Sequence, residues 1–339
     1  MNRSAPLHLL GLLAVLAGTT TAQDPAATTR PGAAPALRVG TWNLEQLGWR
    51  KDPPRPADAH AKIARWIREL GVDVLAVQEI GGPEPLRAIA AELGPRWAFV
   101  LGSSGTFTAR ETGETTRISV GFLWNDARVE LLQAEELGGF PRKIDKIDVF
   151  HRVPVSAVFR DREQGFDFRA VTVHLKAGRG ADNERKRGLE ARQLAEWFDG
   201  LRRDPKEDRD VLLLGDYNHT FGDGAMGELT RGGVLEVLDD ANARKTPTIL
   251  HFPEPIDHIA LSPELRRGEY VKASSTVHDR LAQESREAWR AVYSDHLPVS
   301  ATFRTAGDDD PDARFRPADP KHRLEPVRAA PAGGGARRP

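Results

Sequence analysis

The sequence predicts a layered α/β protein, built either on one mixed sheet or as a sandwich of sheets. Short apolar runs of strand length recur between residues 37 and 303. Longer segments between them carry apolar residues at helical spacing. The two kinds alternate without strict order, which suits a layered α/β architecture.

Taken in order, residues 37–43 place Leu37, Val39 and Thr41 on one face of a strand. Ile63, Trp66, Ile67 and Leu70 fall at i, i+3, i+4 and i+7, an amphipathic helix that Gly71 ends. Residues 72–78 are mostly apolar, as in a strand buried on both faces. Residues 85–93 read as a helix, 97–101 as a strand, 103–116 as a polar loop and 118–124 as another strand. Residues 133–147 look irregular. Segments 153–159 and 166–173 alternate as strands about a turn at 161–165. Leu194, Trp197, Phe198 and Leu201 set a helix over 183–202. Residues 211–214 form an apolar strand that Gly215 breaks, and 256–261 and 299–303 are short strands.

The chain has 339 residues, no cysteine, a formal net charge of −1 and 40% hydrophobic residues. That composition supports a large core and excludes disulfides and thiolate metal sites, so any metal must take oxygen or imidazole ligands. There is no global basic field of the kind that announces nucleic acid. Arg3, the apolar run 7–17 and Thr20-Thr21-Ala22 form a secretory signal-peptide pattern over 1–22, with cleavage near Ala22. The expected destination is secreted or periplasmic. The apolar run is too short to span a bilayer, and the alternative is a short N-terminal anchor. Residues 23–36 read as an Ala/Thr/Pro linker, 37–305 as one domain and 306–339 as a disordered tail.

Polar residues recur where strands end: Asn43 and Glu45, Glu79, His174, Asp216 and Asn218, Asp257 and His258, Asp295 and His296. Acids, amides and imidazoles gathered on one rim suit phosphoester hydrolysis with a hard divalent ion. An imidazole paired with a carboxylate can take a proton from water.

The stretches TWNLE (41–45), VQE (77–79), VTVHLKAG (171–178), LGDYN (214–218), IDHI (256–259) and SDHLPV (294–299) resemble, in order and spacing, the endonuclease/exonuclease/phosphatase superfamily, the DNase I-like fold. The resemblance implies a four-layer α/β (α+β) sandwich, two mixed β-sheets flanked by helices, with the site at one end. It implies that Glu79 is the main metal carboxylate, supported by Asn43 and Asp295, and that Glu45 favours a second metal. His296 matches a general base oriented by Asp257, and His174 a group that stabilises the phosphoryl oxygens or assists the leaving oxygen. Asp216 and Asn218 match the pair that orients nucleophile and phosphate. The expected cofactor is Mg²⁺ or Mn²⁺, with Ca²⁺ open as a structural ion.

Arg152, in HRVPV, resembles the family's Arg-x-Pro arginine, and a guanidinium suits phosphate. Arg117 precedes a strand whose family counterpart borders the site. His258 and Lys176 are the other candidate phosphate contacts, each against a bland alternative of a satisfied side chain. In the basic stretch 176–192, Arg187 and Arg192 read as a solvated helix face. His151, His219, His251 and His278 read as loop or partly buried residues.

The expected activity is that of an exported, metal-dependent phosphodiesterase, a DNase-like endonuclease acting on DNA. The alternative is a phosphatase or phospholipase-type (sphingomyelinase-like) hydrolase of small or lipid phosphoesters, and after that a non-catalytic binding protein. No stable protein partner and no membrane span are expected, and a monomer is the default.

Overall fold

The computed structural model describes residues 35–49, 54–108, 112–222, 224–279, 285–308 and 314–328. The expected signal peptide, and all of the expected linker but residues 35 and 36, lie outside them.

Ten core strands are β1 (Ala36–Leu47), β2 (Val74–Ile80), β3 (Trp97–Leu101), β4 (Ser119–Asn125), β5 (Val129–Glu136), β6 (Val155–Asp161), β7 (Asp167–His174), β8 (Val211–Asp216), β9 (Asp257–Leu261) and β10 (Val299–Arg304). They form two mixed sheets. In the first, β10, β1, β2, β4 and β3 lie side by side. Here β1 is parallel to β2 (Val39↔Val74) and antiparallel to β10 (Val39↔Ala301). In the second, the order is β9, β8, β7, β6, β5, with β7 and β8 parallel (Thr172↔Leu214).

The sheets face each other across an apolar core. Leu37 and Val39 of β1, Phe168 of β7, Leu212 of β8 and Phe303 of β10 meet there. A buried polar link also crosses it: Gln78 Nε2 donates to Thr172 Oγ1 at 3.0 Å and to Thr41 Oγ1 at 3.0 Å. Helices α1 (Ala59–Leu70) and α2 (Pro83–Leu93) cover the outer face of the first sheet, and α3 (Ala181–Arg202) that of the second. Gly71 ends α1 in the left-handed region, φ 64°, with its N–H on Arg68 O. The four-layer sandwich expected from the motifs is the observed fold.

Differences are local. The polar segment 103–116 is not all loop: Thr106–Thr108 and Thr115–Arg117 pair as a hairpin. The irregular segment 133–147 includes the end of β5 and one strand of a small hairpin, Lys143–Ile144 with Ile147–Asp148. The expected disordered tail is corrected for 314–328. There Leu324 N–H donates to Ala134 O, Glu136 N–H donates to His322 O, and Val327–Arg328 pairs antiparallel with β3. Poverty in large apolar residues suggested disorder, but the open edges of β5 and β3 offer backbone partners that ask nothing of composition. Among the described residues no helix is long and apolar enough to cross a membrane.

Candidate active site

Strand alternation builds the site. Side chains two residues apart share a face. The core-facing run of β1 is Leu37, Val39, Thr41 and then Asn43. That of β7 is Phe168, Ala170, Thr172 and then His174. That of β8 is Leu212, Leu214 and then Asp216. Antiparallel to these, β9 begins with Asp257 and continues with Ile259 and Leu261. Apolar inward residues thus give way to polar ones at the same end of both sheets, and the rim forms at that end of the seam.

Glu79 breaks the alternation, since Gln78 already faces the core. The ladder slips between Asn43 and Leu47 on one side and Val77 and Ile80 on the other, and a bulge of this kind re-aims a side chain. Glu45, Gln46, Glu79 and Asn218 all take positive φ, at 46°, 52°, 59° and 52°. Such backbone is costly for non-glycine residues and gathers at functional sites. Gly215, at φ 145°, is required on β8, where a Cβ would lie 2.1 Å from Val173 O.

His296 Nδ1 lies 2.8 Å from Asp257 Oδ2. Its Nε2 faces Asp216 Oδ2 at 3.9 Å and Asp295 Oδ1 at 3.8 Å. The backbone around His296 is pinned: its N–H donates to Ser294 Oγ, and its carbonyl accepts from both Trp42 Nε1 and Trp289 Nε1. Asp216 is the hub. Its Oδ2 accepts from Asn43 Nδ2 at 3.0 Å and lies 3.4 Å from His174 Nε2, while Oδ1 accepts the Asn218 N–H. Glu79 Oε1 accepts from Asn43 Nδ2 at 3.2 Å, and Oε2 from the Gln46 N–H at 3.0 Å.

Burial drives the electrostatics. It raises Glu79 above the usual carboxylate range, with Asp295 adding to the shift. Burial and then the charge of Asp257 push Asp216 up to about 7. His174 is held well below the usual histidine range by burial and by Arg152, so its imidazole is neutral. For His296, burial pulls downward, but the charges of Asp257, Asp216 and Asp295 outweigh it and hold the ring well above the ordinary value. Carboxylates stripped of water and crowded together favour a cation among them.

That donor set fits a hard divalent ion. Glu79 and Asp295 supply carboxylate oxygens, and no soft ligand is present. Ligand atoms of Asp216, Asp257 and His296 also come within 4.8 Å of one another, but the His296–Asp257 hydrogen bond already engages two of the three. Asn43 supports the site without presenting oxygen: its Oδ1 accepts the Glu45 N–H at 2.9 Å and its Nδ2 faces the carboxylates.

A family model, "Endonuclease/Exonuclease/phosphatase family", matches residues 40–296. The chain belongs to that family. Its members hydrolyse phosphoesters, typically with a divalent metal. A protein named deoxyribonuclease from Thioalkalivibrio sp. (strain K90mix) is 34% identical over 196 residues, 56% of this chain and 48% of that one. The human endonuclease/exonuclease/phosphatase family domain-containing protein 1 is 26% identical over 305 residues, 83% of this chain and 51% of that one. The chain therefore spans about half the length of the curated relatives it matches. Among solved structures, the human Nocturnin catalytic domain with bound sulfate superposes with a TM-score of 0.61 at 15% identity, over 80% of this chain and 95% of that one. This likeness bears on the fold.

Of the residues singled out from the sequence, Asn43, Glu79, His174, Asp216, Asp257, Asp295 and His296 converge on the rim of this family member. Asn218 lies beside it, with Nδ2 on Leu175 O at 3.2 Å. Arg152 sits behind it, donating to the carbonyls of His174 and Leu175 at 2.8 and 2.7 Å. Lys176 is half-buried, with Nζ on Ala177 O. Glu45 reaches away to Arg290.

Three expectations are corrected. His258 turns to the outer face of β9, because consecutive strand residues point oppositely. Its Nε2 lies 2.7 Å from His219 O and its ring packs on Tyr217 and Phe221. Arg117 is exposed on the hairpin, and among the described residues its side chain makes no hydrogen bond or ion pair with the rim. Arg187 is also not solvated: it is buried, donating to His219 Nε2 and to the carbonyls of Lys176 and Gly178. Arg192 is exposed and paired with Glu228.

Sequence reasoning missed Glu190, whose carboxylate accepts the N–H groups of Phe150 and Lys176, each at 2.8 Å. A signal was available: Arg187 and Glu190 extend the buried stripe Ala191, Leu194, Phe198 and Leu201 at helical spacing. His251, 3.5 Å from Asp295 Oδ2, and the arginines Arg55 and Arg290 were also missed, and nothing local in the sequence marks them.

Proposed function

We propose that this chain is an exported, divalent-metal-dependent phosphodiesterase that cleaves DNA. The observation that carries the catalytic part is the buried Asp257–His296 pair at 2.8 Å, with the second ring nitrogen open to the rim. With Nδ1 donating to Asp257, a deprotonated Nε2 can accept the proton of an attacking water. The water oxygen bonds to phosphorus, and the P–O bond to the leaving oxygen breaks. His174, neutral and held by the pinned end of β7, can donate a hydrogen bond to the phosphoryl or leaving oxygen. Asp216 and Asn218 orient water and phosphate. A divalent ion held by Glu79 and Asp295 would polarise the phosphoryl oxygen and neutralise developing charge.

The choice of nucleic acid rests on two supports. The relative from Thioalkalivibrio is named a deoxyribonuclease. A groove of about 860 Å³ also leads off the rim, lined by Asn218, His251, Phe252, Arg179 and Arg185. The Arg179 guanidinium lies 5.5 Å from the Phe252 ring centroid. Basic and aromatic side chains along one groove suit a phosphate backbone with its bases. Among the described residues Phe107 is the one exposed large hydrophobic side chain, a poor surface for lipid. Export rests on the signal-peptide pattern of residues 1–22.

The test compares plasmid and single-stranded DNA with choline-phosphate and sugar-phosphate esters, each with Mg²⁺ or Mn²⁺. DNA cleavage that weakens in Arg179→Ala and Arg185→Ala supports the reading. Turnover confined to the small esters would move the substrate away from nucleic acid and keep the catalytic site.

A further inference from the structure

The groove that leads off the rim has an arginine in its floor. Arg187 is 5% exposed, yet it lines the groove together with Arg179, Arg185 and Asn218. Its guanidinium is held by two of its nitrogens. Nε donates to His219 Nε2 at 2.7 Å, and Nη1 to the carbonyls of Lys176 and Gly178 at 2.8 and 2.6 Å. All three acceptors are neutral, His219 because burial lowers it to about 4. Nη2 makes no hydrogen bond among the described residues, and no carboxylate there pairs with the side chain. Glu184, Glu190 and Asp216 act on the charge only from a distance. The other arginines of α3 and β7 differ: Arg192 pairs with Glu228, and the buried Arg169 with Glu207. A buried charge bonded only to neutral groups is costly until an anion meets it.

We infer that Arg187 forms the floor of a second phosphate subsite, which takes the phosphodiester next to the scissile one. The inference rests on the phosphodiesterase reading above and deepens it: the enzyme selects a chain of nucleotides over an ester with a single phosphate. Chain connectivity places the charge beside the rim and not in it. Lys176 and Gly178, whose carbonyls Arg187 holds, follow His174, and His219 follows Asn218. A phosphate oxygen can accept from Nη2 in a charge-assisted bond. Of the acids that share the lining, Glu228 is engaged by Arg192 and Arg231. That leaves Asp145 and Glu184 against Arg179, Arg185 and Arg187, a positive balance that suits a phosphate. Arg187 is thus a specificity-determining residue for substrate length.

The test uses the full chain with Mn²⁺ and deoxythymidine trinucleotides that hold one phosphodiester. The linkage beside it, on the 5′ or the 3′ side, is either a phosphorothioate, which keeps the charge, or a methylphosphonate, which removes it. On one side the wild type favours the charged linkage by at least about tenfold in kcat/KM, the worth of one hydrogen bond to a charged group. Arg187→Gln brings that ratio close to one. Arg187→Lys lowers it, since a single ammonium cannot serve both the carbonyls and a phosphate. A ratio near one on both sides in the wild type would overturn the subsite and leave the phosphodiesterase reading intact. A wild-type ratio kept by either variant would overturn the role of Arg187. Trinucleotides and plasmid left intact, while choline-phosphate or sugar-phosphate esters are cleaved, would remove the DNA reading itself, and the inference with it.

Discussion

Asp257 decides what His296 can do. Its carboxylate holds the ring by Nδ1, so Nε2 is the atom left to accept a proton, and its charge keeps the imidazolium stable to higher pH. In the proposed mechanism the active form is the neutral ring, so activity should climb as pH rises through the raised His296 pKa. In Asp257→Asn that acid limb moves to lower pH, while the maximal rate falls by about 10²–10⁴-fold. A pH–rate profile of the two proteins checks both signs. His258 gives a separate prediction, for stability. Burial lowers it to about 4 from an ordinary 6.5, so the fold binds it neutral. Its contribution is present above pH 6.5 and fades as pH falls towards 4. The shift corresponds to roughly 3 kcal/mol. Denaturant unfolding should therefore show wild type ahead of His258→Gln at pH 7.5, with the gap narrowing by pH 4.5. At this scale the sequence was readable where a motif names the residue, as at Glu79, Asp257 and His296. It misled at His258, because adjacency to Asp257 suggested a shared site while strand geometry turns neighbours to opposite faces.

At the scale of elements, the site is a consequence of strands that run out of apolar residues at the same end. Those strands were visible as alternating or apolar runs, which pointed to a layered α/β protein, while the two-sheet sandwich was expected from the motifs' resemblance to the family. Backbone-level features were not. The slip that re-aims Glu79 depends on the pairing of β1, β2 and β4, and neither it nor the positive φ at Glu45 and Asn218 is reported by any local pattern. Helix α3 adds a second hidden function. Glu190 anchors two loops by accepting from Phe150 and Lys176, and its charge acts on Arg152, which in turn holds the His174 and Leu175 carbonyls. Replacing it by alanine strands two backbone N–H groups, at roughly 1–3 kcal/mol each. Glu190→Ala should lower the melting temperature and reduce kcat; Glu190→Gln, which can still accept one bond through its carbonyl oxygen, should recover part of both. Equal loss in the two variants would argue that the charge alone matters.

Over the whole molecule, residues 314–328 tie the two sheets together from outside. The segment joins β5 and β3, and its Arg316 N–H donates to Glu207 Oε2, whose Oε1 holds the buried Arg169. Phe315 covers that guanidinium at 5.4 Å. Removing the chain after residue 308 uncovers both strand edges and the Arg169–Glu207 pair. The truncated protein should unfold at lower temperature and associate through its open edges, as calorimetry and light scattering would show. Composition could not reveal this strap, since its hold is mostly backbone and charge.

The metal-dependent role of His296 is tested by nicking of supercoiled plasmid by the protein with Mn²⁺, beside an EDTA control and His296→Ala. The expected result is metal-dependent nicking that EDTA abolishes and that His296→Ala loses by about 10²–10⁴-fold. Undiminished nicking by His296→Ala would contradict the assigned base, and nicking unaffected by EDTA would contradict the metal-dependent site.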